Sequence, residues 1–82
     1  MSEKYKITWH LEWYIINDDR LFGEITLGIS TEKVREILGI DKSDPMVGIF
    51  PIDKDSSIRL SEETGVQFDL KSYDYFIGGY TD

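Results

Sequence analysis

Tyr5-Lys6-Ile7-Thr8-Trp9-His10-Leu11-Glu12-Trp13-Tyr14-Ile15-Ile16 alternates with a period of two. Tyr5, Ile7, Trp9, Leu11, Trp13 and Ile15 are large and apolar, whereas Lys6, Thr8, His10 and Glu12 are polar. In a strand the two sets fall on opposite faces; an α-helix would scatter both around its circumference. The stretch is therefore read as a strand with Trp9 and Trp13 in the core.

Working outward, Asn17-Asp18-Asp19 is a turn, because these residues tolerate left-handed backbone. Leu21 to Ile29 alternates again, with Leu21, Ile25, Leu27 and Ile29 at odd positions. A slip of one residue would turn one apolar set outward, so paired positions must sum to an even number. A three-residue loop meets that condition, setting Ile15 opposite Leu21, Trp13 opposite Gly23, Leu11 opposite Ile25 and Trp9 opposite Leu27. An indole over Gly23 would cover backbone that is otherwise bare. On the other face the same register sets Glu12 opposite Glu24, an arrangement that repels, and gathers Tyr14, Ile16 and Phe22 nearer the turn. That end is either covered by a helix or loop or presented to a partner.

Ser30 to Leu38 reads as a helix. Ser30 suits the N-cap, Glu32 the first turn, Ile29 and Val34 form a hydrophobic staple, and Gly39 ends the helix. Val34, Ile37 and Leu38 make its apolar stripe. Asp41 to Pro45 is a polar loop. Met46 to Ile52 is a short strand placed at an edge by Pro51. In Asp53 to Thr64 the alternation of Ile58 with Leu60 suggests a strand, but capping by Asp53 and Gly65 decides for a helix. Val66 to Asp69 is extended, and Ser72 to Ile77 is an aromatic strand closed by Gly78-Gly79. The expected fold is a small single α+β domain spanning residues 1–82, in β-β-α-β-α-β order, with an N-terminal antiparallel hairpin packed against two short helices.

The 82 residues allow one small core, and the chain has no cysteine to staple it. No signal-peptide h-region and no apolar run of about eighteen residues is found, so the expected location is the cytoplasm. Sixteen acidic against nine basic side chains give a net charge of −7, which disfavours nucleic acid and anionic membranes and favours a cationic partner. The excess concentrates in residues 41–82, with nine acids against four bases.

Three segments together carry a resemblance: Leu38-Gly39-Ile40; Asp44-Pro45-Met46-Val47-Gly48-Ile49-Phe50-Pro51-Ile52; and Phe68-Asp69 followed by Tyr73-Asp74-Tyr75-Phe76-Ile77. Over roughly residues 34–77 the chain resembles a family of very small bacterial proteins known as a domain of unknown function. It also looks similar to immunity proteins that protect a cell from a neighbour's contact-dependent growth-inhibition toxin. The resemblance implies no catalytic residues and no cofactor. It implies a partner, the toxin's C-terminal domain. The chain departs from the family at Ser56, Ser57 and Ser61, where relatives are richer in alanine, so a less firmly packed second helix is expected.

Other chemistry fails at particular residues. One histidine and no cysteine exclude a closed zinc site of the usual ligands and a His-X-X-X-His protease helix. Asp53-Lys54-Asp55-Ser56-Ser57 resembles the opening of a calcium loop, but Ile58 stands where the turn glycine belongs and Thr64 where the bidentate glutamate belongs. His10 with Glu12 or Glu24 is the one acid–base pairing, and an exposed strand histidine is more often plain polar surface. Tyr73, Tyr75 and Phe76 would suit base stacking, but a nucleic-acid platform needs a basic groove and Asp69 and Asp74 flank this strand. The function that the resemblance implies is binding of a cationic toxin domain, a nuclease by its charge. The partner-binding candidates are Glu12, Glu24, Tyr14 and Phe22 on the hairpin, with the acidic pairs Asp41 and Asp44, Asp53 and Asp55, and Glu62 and Glu63. The alternative is a small regulatory or structural domain with no toxin partner.

Overall fold

The computed structural model describes residues 7–41 and 48–81. Strand β1 (Ile7–Ile15) and strand β2 (Leu21–Leu27) form the hairpin, followed by helix α1 (Thr31–Leu38), strand β3 (Gly48–Pro51), helix α2 (Lys54–Thr64) and strand β4 (Tyr73–Thr81). The α+β class and element order are those expected. The strands form one antiparallel sheet in the order β2-β1-β4-β3, so β1 is paired along both edges. Tyr5 and Lys6, Met46 and Val47, and Asp44 lie outside the described residues.

The core follows the parity read from β1. Trp9, Leu11, Leu27, Tyr75 and Ile77 are buried with Val34 of α1 and Leu60 of α2, and Trp13, Ile37, Leu38, Phe50 and Tyr73 pack against them. Both helices therefore cover the odd face of β1. Trp9 is sealed at 1 % exposure, and its indole N–H donates to Thr31 Oγ1 at 3.0 Å, tying the central strand to the start of α1. At the far end of the core, the Tyr75 hydroxyl accepts the Asp69 N–H at 3.1 Å and holds the loop after α2.

The helices end as their capping residues dictate. Ser30 Oγ accepts the Lys33 N–H and Asp53 Oδ1 accepts the Ser56 N–H, while Gly39 and Gly65 take the left-handed conformation at the C-caps. Accepting the backbone N–H of Ser56 holds the Asp53 carboxyl below its usual range. The stretch that resembled a calcium loop is thus a cap and a first helical turn. Of the serines at which the chain departs from the family, Ser56 and Ser57 are buried and Ser61 is half-buried, and Ser57 Oγ donates to the Lys54 carbonyl at 2.7 Å.

The hairpin register is as expected for Trp9 with Leu27, Leu11 with Ile25, Glu12 with Glu24 and Trp13 with Gly23. A Cβ at Gly23 would lie 2.2 Å from Trp13 Cζ2, so the indole covers that glycine and allows no side chain there. The expected pairing of Ile15 with Leu21 does not occur. Asn17 adopts φ 66°, and the Asp18 carboxylate receives both the backbone N–H and the guanidinium of Arg20. The Arg20 contacts hold the Asp18 carboxyl below its ordinary value. This tight turn is reconciled with the ladder by a β-bulge between Trp13 and Tyr14, which places Leu21 opposite Tyr14.

Other boundaries also moved. β2 stops at Leu27, with Ile29 half-buried as the staple residue before Ser30. Residues 66–69 are not a strand, and β4 runs through Gly78-Gly79 to Thr81 instead of closing there. Those glycines are interior ladder residues, paired with both β1 and β3.

Two substitutions separate the core face from the sheet's rim. Trp9→Ala should cost about 3–5 kcal/mol in denaturant unfolding, whereas Ile25→Ala, on the same face but 39 % exposed, should cost less than about 1.5 kcal/mol. Equal losses would mean that the core is not centred on β1.

Candidate functional site

The even positions of β1 and β4, with Glu24 and Thr26 of β2 and Ile49 and Pro51 of β3, make a second face that no helix covers among the described residues. Across it, His10 stands between Thr26 and Gly78, Glu12 between Glu24 and Phe76, and Tyr14 between Leu21 and Asp74. None of the four strands contains a lysine or arginine, and their acids are Glu12, Glu24 and Asp74, all on this face. The described basic residues stand in the turns and on the two helices: Arg20, Lys33, Arg35, Lys54, Arg59 and Lys71.

At the centre, Glu12 neither splays into water nor meets a cation. It is 8 % exposed, and the Tyr80 hydroxyl donates to its Oε2 at 2.6 Å. Tyr80 stands opposite Thr8 in the ladder and reaches Glu12 by laying its ring along β4 over Gly78, where an added Cβ would come within 3.0 Å of that ring. Donation to Glu12, helped by desolvation and the surrounding negative charge, pushes the Tyr80 phenol up to about 12. The same ring meets the His10 imidazole edge-on at 5.1 Å, and His10 Nδ1 lies 3.3 Å from Thr26 Oγ1 and 3.7 Å from Glu24 Oε2. Glu24 remains largely open to water.

Toward the turn, Tyr14 and Phe76 meet edge-to-face at 5.7 Å. With Asp18, Asp19 and Asp74 they line an open concavity of about 380 Å³. An aromatic floor with an acidic rim suits an extended cationic side chain, with a methylene stem on the rings and a charged head at the carboxylates.

The structure does not gather the sequence-derived candidates into one site. Glu12, Glu24 and Tyr14 share the open face. Phe22 does not: the bulge turns it to the helix side, where it stacks on Tyr73 at 5.1 Å. Asp53 and Asp55 begin α2, Glu62 and Glu63 end it, and Asp41 follows α1, all in the helix layer. There acids are mixed with bases: Lys33 pairs with Glu36 at 3.2 Å and lies 3.9 Å from Glu63, contacts that raise its pKa, the Glu36 hydrogen bond most. Asp44 is outside the described residues.

Conversely, Asp74, Phe76 and Tyr80 belong to the face without having been singled out as partner contacts. Parity was the available signal, since pairing β4 with β1 sends positions 74, 76, 78 and 80 to the even side. Which strand neighbours β1 on its second edge was not readable from the residues. Among the described residues no cluster of His, Asp or Glu could hold a metal ion, and no helix is long and apolar enough to cross a membrane.

The Tyr80–Glu12 bond has a pH signature. The folded-state pKa of Tyr80 lies above its ordinary value of 10.0, so the stability it contributes is complete below pH 10 and is lost as pH rises through about 12. Tyr80→Phe should cost about 1 kcal/mol at neutral pH, and chemical denaturation should show the gap between parent and variant narrowing over that interval. A gap that stays constant through it would place the cost in packing.

No curated protein and no solved structure matches the chain. The family described as Domain of unknown function (DUF7683) matches residues 8–78, from the first strand to the middle of the last. Its match takes in the whole hairpin as well as the second half, and the chain belongs to that family.

Proposed function

We propose that the protein is a cytoplasmic, non-catalytic immunity protein that binds and neutralises the cationic toxin domain of a contact-dependent growth-inhibition or related system. The toxin is a nuclease by the charge it must carry, and binding occludes its active site or the path of its substrate. The observation that carries this reading is the sorting of charge in the sheet: among the described residues, every Asp and Glu in the strands faces the uncovered side, and no strand carries a Lys or Arg.

A nuclease needs lysines and arginines to hold phosphate. Glu24 and Asp74, backed by the chain's net −7, would steer such a surface during encounter. Tyr14 and Phe76 supply an apolar centre that loses its water on contact, the kind of anchor that dominates interface energy. Glu12 is already hydrogen-bonded, so it enters the interface fixed in place and adds negative potential with little side-chain freedom left to lose. The same charge opposes nucleic acid itself as the ligand. His10, the single histidine, stands on an open face bonded to Thr26 rather than in a cleft aimed at a reacting atom, which supports a binding role over a catalytic one.

The partner is obtained by affinity capture from the source strain, or by co-expression with the C-terminal domain of the adjacent large exoprotein. Association with that purified toxin domain should be fast at low salt and should slow as the screening length falls below about 10 Å. Neutralising Glu24 together with Asp74 should slow association several-fold and leave the melting temperature nearly unchanged, because exposed charges add little to folding. Neutralising Glu62 with Glu63 should have a smaller effect. Salt-independent association, or a larger effect from the helix-layer pair, would remove the open face from the mechanism, and failure to capture any toxin domain would remove the function.

A further inference from the structure

We infer that β2 is a docking edge, which takes an extended segment of the partner as a fifth strand whose side chains alternate basic and apolar. The inference rests on the proposed function for the sign of the partner's charge. Its geometry stands on the sheet alone.

The two edges of the sheet differ. β3 has four residues and ends in Pro51, which has no N–H to offer. β2 has seven, with no proline or lysine, and among the described residues its ladder partner is β1 alone. Natural edge strands are usually blunted by shortness, proline, lysine or a bulge, because their unpaired N–H and C=O groups template further pairing. β2 has a bulge only at its turn end, and the stretch from Gly23 to Leu27 is regular. It is also apolar where it should be polar: Leu21, Phe22 and Ile25 are 50 %, 58 % and 39 % exposed.

A second copy of this chain does not fit that edge. The antiparallel register that overlaps all of Leu21–Leu27 sets Glu24 against its own counterpart, with Glu12 behind it on each side and −7 on each chain. A basic strand turns this repulsion into attraction. On the open face its Lys or Arg would meet Glu24, whose ion-pair neighbour is His10 rather than a lysine or arginine. On the helix side its apolar residues would cover Ile25 and Phe22. The backbone ladder gives affinity, and the alternation gives specificity.

The test uses the whole chain and synthetic peptides at low salt, read by amide hydrogen exchange along β2. A peptide alternating Lys and Val should slow the outward-pointing β2 amides about tenfold. A Glu–Val peptide should not, nor a Lys–Val peptide N-methylated at alternate residues, which keeps the charge but cannot extend a ladder. In the Glu24→Lys variant, at an exposed position that leaves the core untouched, the preference should reverse to Glu–Val. Equal protection by the N-methylated peptide, no protection by Lys–Val, or outward β2 amides already protected in the free chain would each overturn the inference. A captured toxin domain that leaves β2 unprotected would also overturn it while the immunity reading stands. Strand addition by Lys–Val without any toxin binding would support it while that reading falls.

Discussion

Because β1 is hydrogen-bonded along both edges, its alternation is imposed on the whole sheet. A neighbour that slipped by one residue would turn its own polar residues, Glu24 or Asp74, toward the helices and Leu27 or Ile77 to the open side. β4, and β2 beyond its bulge, therefore present their odd positions where β1 does, and the helices settle on that side because most of the apolar area to be covered is there. Trp9 fixes the arrangement physically, through a buried indole whose N–H is bound by the first residue of α1.

A two-layer domain of this kind leaves one sheet face to water, and what a sequence places there is informative about use. Here, among the described residues, it places acids and aromatics and no lysine or arginine. Glu12 and Glu24 stand opposite one another, a pairing that costs stability, and the fold meets that cost by giving Glu12 the Tyr80 hydroxyl. The ring lies close over Gly78, where an added Cβ would come within 3.0 Å and the ring would have to give way slightly. A face built only for solubility would not need a buried carboxylate held in place by a ring laid over a glycine. One built to present negative charge at a defined position would.

Local signals in the sequence were sufficient for much of the fold. Ser30, Gly39, Asp53 and Gly65 mark helix ends by their own hydrogen-bonding and backbone preferences, and the hairpin register follows from period two. Non-local facts were not legible. No residue count reveals the bulge between Trp13 and Tyr14, which carries Phe22 to the other face. The neighbour of β1 on its second edge depends on how two helical connections close, so Asp74, Phe76 and Tyr80 could not be assigned to the face that holds Glu12. The charge excess of residues 41–82 pointed to the helix layer, where acids are interspersed with lysines and arginines, whereas among the described residues the sheet's fewer acids share their face with no lysine or arginine.

The central claim is that the uncovered sheet face, and not the helix layer, meets the partner. Hydroxyl-radical footprinting of the complex with the captured toxin domain tests it most directly, because Tyr14, Phe76 and Tyr80 are reactive side chains on one side and Ile37, Ile58 and Leu38 report the other. The account predicts that Tyr14, Phe76 and Tyr80 lose labelling on binding while Ile58, half-exposed on α2, keeps it. Protection of Ile58 and its neighbours with the three aromatic residues unchanged would contradict it.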